Sequence, residues 1–193
     1  LLCADYVIDP HHLEAFVSVL DTHPNVSLVT SFEQLIGDLH TVRKLPHLPA
    51  IGELDGKLVQ RHLLNFGNWV GSPSSVMFRH SDLHVGLFRC DWCWVLDLDM
   101  WIRLLAVGNL YVVPRILTHN RIHNQRASSI NNRGYAYVNE ELMLLQLAFQ
   151  FPRVYGSHAK IERESLYGRV LHQLIEEGLG RKDLRSLWEM MQI

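Results

Sequence analysis

Apolar residues recur along this chain at helical spacing in several places. At Leu98, Trp101, Ile102 and Leu105 they fall at i, i+3, i+4 and i+7, which gives a helix one apolar face. That helix closes the stretch Phe88–Arg103, FRCDWCWVLDLDMWIR, which holds three of the chain's five tryptophans. The same rhythm at Leu13, Phe16, Val17 and Leu20 predicts a helix that His23-Pro24-Asn25 stops. Short apolar and branched runs at Leu1–Ala4, Val26–Thr30, Ser75–Phe78 and Leu110–Val113 read as strands. Gly108 is placed to cap the helix that follows Asp97. Between Ser31 and Leu63 the pattern weakens, broken by Gly37, Pro46, Pro49, Gly52 and Gly56, and reads as a variable loop or lid. From about Tyr135 the chain turns helical, over Glu140–Phe151, Ile161–Glu177 and Lys182–Met191, with Leu142, Leu145, Leu147 and Phe149 as packing positions.

Strands alternating with helices predict the α/β class, a mixed sheet flanked by helices with a C-terminal helical appendage. Near the start, the order strand, acid, helix, strand sets Asp5 in a loop at a strand's C-terminal end, where open sheets commonly bind ligands. The 193 residues suffice for one good core plus that appendage. A net charge of −2 with His neutral gives none of the clustered positive charge a nucleic-acid partner requires. No apolar run reaches the length of a transmembrane helix. The 12 histidines are numerous, and those in polar settings (His11, His12, His40, His47) are expected on the surface, where they make the charge sensitive to mild acid. Cys3, Cys90 and Cys93 form no disulfide framework. Cys90-Asp-Trp-Cys93 has redox or half-zinc spacing, but no second pair completes a zinc site, and reduced thiols in a cytosolic protein fit better.

Three segments carry candidate chemistry. Asp97 stands at a helix entrance, where a carboxylate is either an N-cap or a group aimed into a cleft. Asp99 and Arg103, four apart, pair on another helix face, an interaction worth about a few tenths of a kcal/mol when solvated. Asn68-Trp-Val-Gly-Ser-Pro-Ser is a small-residue turn ahead of a strand. In LTHNRIHNQRASS, Arg121 and His123 alternate, so an extended segment puts both on one face, and two such donors suit phosphate oxygens.

In order, LLCADYVIDPHHLEAF, NWVGSPSSVMFR and VLDLDMWIRLLAVGNLYVVPRILTHNRIHNQRASS resemble the family 2 glycosyltransferases of the GT-A fold, particularly bacterial enzymes of cell-surface polysaccharide synthesis. The first is similar to the family's acidic box and following helix. The second is similar to its acceptor-side segment. The third is similar to its catalytic helix, next strand and terminal Arg-x-His segment. The resemblance covers residues 1–132, a partial GT-A-like domain, and leaves 133–193 as a helical extension. It implies an inverting transfer of sugar from a nucleotide-diphosphate sugar to a hydroxyl on a glycan or lipid-linked acceptor, in the cytoplasm or at the inner face of the membrane.

The same resemblance implies roles residue by residue. Asp97 takes the place of the base, with Leu96 where many members carry a further acid. Asp5, Arg121, His123 and Gln125 take the donor diphosphate side, and Gly71, Ser72, Pro73 and Ser74 the acceptor side. A divalent Mg or Mn ion is implied, with Asp5 and His123 as its ligands. Tyr6 stands where the family's second metal-ligating aspartate belongs, and a phenol is a poor substitute for a hard carboxylate oxygen. The family's nucleotide-binding first half has no counterpart in these residues, so the chain resembles the C-terminal part of a longer enzyme. The alternative is an inactive fragment or pseudoenzyme that serves as an interaction module.

Overall fold

The computed structural model describes residues 2–36, 42–43, 51–121 and 136–151. In chain order these form β1 (Tyr6–Ile8), α1 (His12–Thr22), β2 (Val26–Ile36), β3 (Val42–Arg43), β4 (Gly52–Leu54), α2 (Gly56–Phe66), β5 (Val76–Phe78), α3 (Leu96–Leu105), β6 (Asn109–Arg121) and α4 (Ala136–Gln150). Short 3-10 turns occupy Pro73–Ser75 and His80–Val85. The architecture is α/β, one mixed sheet with helices on both faces.

Two long strands make the sheet's axis. β2 and β6 run parallel from Val26 beside Asn109 to Ile36 beside Arg121. Each is shared by two short antiparallel partners: β6 pairs with β4 near its start and β1 near its end, β2 with β5 and then β3. Parallel neighbours cannot be joined by a tight turn, and the intervening chain carries α2 and α3. β2 is buried continuously from Val26 to Ser31, so it reads as an unbroken apolar run rather than as an alternation. Adjacent residues then serve opposite faces. Leu28 and Val112 join the core under α2 and α3, while Val29 and Val113 join a second cluster with Phe16 and Leu20 of α1.

Several expectations shift once the chain is folded. β6 does not end at Pro114. Ser31 pairs with Val113 and Phe32 with Ile116, so exposed Pro114 and Arg115 bulge out of register, a place where a missing N–H costs no ladder bond. Leu2, Cys3 and Ala4 are exposed and precede the first strand, which begins at Tyr6. Asp5 therefore lies at a strand's start rather than its end. The expected loop from Ser31 to Leu63 contains the end of β2, β3, β4 and most of α2. α2 has the usual signals: Asp55 caps it by accepting from Leu58 N at 2.9 Å, Val59 and Leu63 face the core, and Gly67 ends it at φ +78°.

On α1 the inward face is His12, Phe16 and Leu20, while Leu13 and Val17 are exposed. His12, expected on the surface, is 3% exposed. It stacks on Phe16 and donates from Nδ1 to the Leu117 carbonyl at 3.1 Å. α3 is buried at every position from Leu98 to Leu105, so it is a central helix rather than an amphipathic one. Ala106, not Gly108, caps it. Gly108 is needed for closeness: a Cβ there would sit 2.7 Å from Ser27 Cβ and 2.8 Å from Asn25 O.

The Asp99–Arg103 pair is real but buried. Asp99 is 0% exposed and accepts from Arg103 Nε at 2.9 Å and Nη2 at 2.8 Å. Arg103 also donates to the carbonyls of Val85 and Leu87, each at 2.9 Å, which anchors the 3-10 turn to α3. On α4, Leu144, Leu145 and Ala148 enter the α2–α3 core, with Leu142, Leu147 and Phe149 packed half-buried against it. The helices predicted over 161–177 and 182–191 lie outside the described residues. Among the described residues no helix is long and apolar enough to cross a membrane.

Candidate functional site

A cleft of about 530 Å³ opens where β1, the turn after α2, the N-terminus of α3 and Glu141 of α4 converge. Asp5 and Tyr6 line it from the start of β1, Asn68 and Gly71 from the turn, and Trp94 and Asp97 from the approach to α3. Ser72 and Pro73 line it as well. Residues far apart in sequence, singled out separately from their motifs, therefore share one concavity. Pockets of this volume with a few convergent polar groups are the usual form of a small-molecule site.

Asp97 is the second residue of α3; Val95 holds the N-cap position and has no side-chain cap bond. The Asp97 carboxylate accepts from Leu98 N through Oδ1 at 2.7 Å and from Asn68 Nδ2 through Oδ2 at 2.9 Å. It is thus held by its own helix and by the neighbouring turn together. The helix's partial positive end favours a carboxylate here by about 0.3–1 kcal/mol.

The turn that faces Asp97 is fastened from three sides. Asn68 closes it locally, with Nδ2 donating to Gly71 O at 3.1 Å and Oδ1 accepting from Gly71 N at 3.2 Å. Trp101, fully buried on α3, donates from Nε1 to Gly71 O at 2.9 Å. Thr30 of β2 donates to Val70 O at 2.6 Å. Gly71 has φ +123°, and an added Cβ would fall onto Ser75 Oγ, so conformation and space both demand glycine. Ser74 is buried and does not line the cleft; its Oγ accepts from Cys3 N at 2.8 Å. Arg79, at the end of the same motif, donates to the carbonyls of Leu20, His23 and Val26, and so holds the C-terminus of α1 against the sheet.

At the opposite wall, Arg121 N donates to Asp5 O at 2.8 Å, which puts the Asp5 backbone beside the end of β6. The Arg121 side chain is exposed and does not line the cleft. His123 and Gln125 lie outside the described residues. Tyr6 accepts through its hydroxyl from Asn120 Nδ2 at 2.7 Å, and Asn120 also donates to buried Glu33 at 3.2 Å. Tyr6 is therefore built into a wall of the cleft. Among the described residues no three His, Cys, Asp or Glu side chains gather into a metal-holding group. A hard divalent cation takes six or more oxygen ligands, part of them water, and Asp5 with a phenol beside it does not make the described part of such a set.

Sequence reasoning found no chemistry on α4, yet two of its residues belong to this region. The Glu140 carboxylate accepts from Cys93 N at 3.0 Å, Trp94 N at 2.7 Å and Val95 N at 3.1 Å. It thereby satisfies the N–H groups that lead into α3, which no local side chain caps. Glu141, the next residue, lines the cleft. The adjoining acids Glu140-Glu141 were the available signal, but nothing in the sequence named their target. Cys93 and Cys3 also line the cleft; Cys3, Cys90 and Cys93 are exposed and form no disulfide.

No family model matches this chain. Over 55 residues it is 40% identical to a Mycobacterium tuberculosis protein named Uncharacterized protein MT1568, a match that covers 28% of this chain and 17% of that protein.

Proposed function

We propose that this chain carries the acceptor and catalytic side of an inverting glycosyltransferase that moves a sugar from a nucleotide-diphosphate sugar to a hydroxyl, in cell-surface glycan synthesis. One observation carries the reading: the carboxylate of Asp97, the Gly71–Pro73 turn and Asp5 line a single cleft. Inverting transfer requires a base that removes the acceptor hydroxyl's proton while its oxygen attacks the anomeric carbon from the face opposite the leaving group. Asp97 suits that role, since its carboxylate is fixed by Asn68 and Leu98 and borders the cleft. The Gly71–Pro73 turn lets a sugar approach the backbone. Arg121, with His123 and Gln125 beyond it, is proposed to receive the diphosphate's negative charge. The protein is proposed to work in the cytoplasm or on the inner membrane face.

A second reading, an inactive interaction module, draws on Tyr6, whose hydroxyl is engaged by Asn120 where the resembled family has a carboxylate. One assay separates the two. The complete gene product is incubated with uridine, guanosine and thymidine diphosphate sugars and with lipid-linked and free glycan acceptors, with and without chelator. Release of nucleoside diphosphate coupled to a product of inverted anomeric configuration is the expected outcome, with turnover that survives chelation because Tyr6 has replaced a ligand. No release from any donor, with Mg²⁺ and Mn²⁺ both supplied, would leave the interaction-module reading standing.

A further inference from the structure

We propose that Glu140 of α4 is a positioning residue for Asp97: its carboxylate holds the backbone entry to α3, and through it the aim of the proposed base. This rests on the reading of the cleft as a glycosyltransferase site.

Glu140 meets three successive N–H groups. Its carboxylate accepts from Cys93 N at 3.0 Å, Trp94 N at 2.7 Å and Val95 N at 3.1 Å. Successive backbone N–H groups that converge in this way form a concave anion site, and hydrogen bonds to an ionised acceptor are the strong ones. The carboxylate stands at the entry to α3, the end of a helix that favours negative charge. Val95 is the N-cap of α3 and has no side-chain cap bond. A carboxylate from another helix thus takes the role that a local capping side chain usually has.

The link to Asp97 is short. Val95 N donates to Glu140, and Val95 O accepts from Asp99 N at 2.8 Å. Asp97 lies between these two bonds, so the first turn of α3 is fixed on both sides of it. Its carboxylate meets Asn68 Nδ2 at 2.9 Å, a bond that depends on where that turn stands. Glu140 itself is carried on a seated helix face. Leu144 and Ala148, four and eight residues further on, are buried in the core beside α2 and α3. Through α4, Glu140 therefore ties the cleft wall that bears Asp97 to the core. Catalytic geometry tolerates little slack there: a misplacement of ~1 Å can cost about 10²-fold in rate.

The test replaces Glu140 and reads geometry and transfer separately. In isotope-labelled protein followed by amide NMR, Glu140→Gln should move the signals of Cys93, Trp94 and Val95. It should also move Leu98 N–H and the Asn68 side-chain amide, the two groups that bond Asp97. In the complete gene product the variant should lose roughly 10- to 100-fold in kcat, the scale of a ~1 Å misplacement. KM should hold within about twofold, because the loss falls on the chemical step. Glu140→Ala empties the anion site; acetate should restore its amide signals and its kcat, and chloride at equal ionic strength should not. If Glu140→Ala does not fold, Glu140→Gln decides. Leu98 and Asn68 signals that stay in place while those of Cys93, Trp94 and Val95 move would overturn the inference. So would wild-type kcat in a folded variant, or a lowered kcat that acetate leaves unchanged. Glu140 would then be a fastener for α4, with the glycosyltransferase reading intact. A wild-type protein that transfers no sugar would overturn that reading instead, and the amide signals alone would decide whether Glu140 positions Asp97.

Discussion

Asn68 Nδ2 donates to Asp97 Oδ2 at 2.9 Å, and the same amide closes the turn through Gly71. One side chain therefore sets both the shape of the proposed acceptor wall and the orientation of the proposed base. Replacing Asn68 with Ala removes both effects. Transfer should fall by about tenfold, the scale of one hydrogen bond to a charged group, chiefly in kcat because the carboxylate remains but is no longer aimed. A rise in KM alone, with kcat unchanged, would assign Asn68 to binding rather than to orientation.

The buried ion pair gives the second prediction. A solvated i,i+4 pair contributes about 0.3–0.5 kcal/mol, but Asp99 has no solvent exposure. Its removal leaves the Arg103 guanidinium, 6% exposed, without its countercharge. Asp99→Asn should destabilise the fold by about 3–5 kcal/mol, the usual cost of breaking a buried pair from one side. Chemical denaturation measures it. A loss below about 1 kcal/mol would mean that the Val85 and Leu87 carbonyls hold the arginine without it.

How much of this was legible in the sequence differs by element. The α/β class, α1 and α3 followed from periodicity, and the Asp97 and Gly71–Pro73 segments could be singled out because their residue types are unusual where they stand. The length of β6 was not legible, because Pro114 reads as a strand end unless the bulge is known. α2 was hidden by Gly52, Gly56 and the prolines upstream, although Asp55 and Gly67 marked its ends. On α1 two apolar stripes compete, and the folded helix buries His12–Phe16–Leu20 in place of Leu13–Val17. Periodicity fixes that a face exists, while tertiary packing chooses which. The contribution of α4 was out of reach, since a carboxylate meeting backbone N–H groups more than forty residues away leaves no local pattern.

His12 makes stability depend on pH. Burial holds its pKa below the ordinary 6.5, opposed by the hydrogen bond to the Leu117 carbonyl and by the Asp9 charge. The unfolded chain therefore takes up this proton at a higher pH than the folded one. Stability from neutral, buried His12 is complete above pH 6.5 and is lost as pH falls from there toward the lower folded pKa. Asp9, whose own pKa is lowered by hydrogen bonds from His11, adds a separate loss only in stronger acid. Melting temperature should drop between pH 7.5 and 5.5, about the midpoint of an unperturbed imidazole, and His12→Gln should flatten that drop. Equal slopes in the two proteins would assign the dependence to the other histidines.

The decisive substitution is Asp97→Asn. The asparagine is isosteric and offers one oxygen acceptor where the aspartate offers two, so either the Asn68 or the Leu98 bond is lost, at about 0.5–1.5 kcal/mol. Loss of the favourable charge at the start of α3 adds about 0.3–1 kcal/mol. The variant should therefore fold, with a modestly lowered melting temperature. Its amide cannot take a proton from an acceptor hydroxyl. If Asp97 is the base, transfer by the complete gene product falls by roughly 10²–10⁴-fold, the range of general-base catalysis. Binding of the donor nucleotide, measured by calorimetry, should persist within about twofold, because the carboxylate is needed in the chemical step and not to hold the nucleotide. Wild-type turnover in a folded Asp97→Asn protein would reduce Asp97 to an anchor for Asn68, and the proton would have to leave through another group of the cleft.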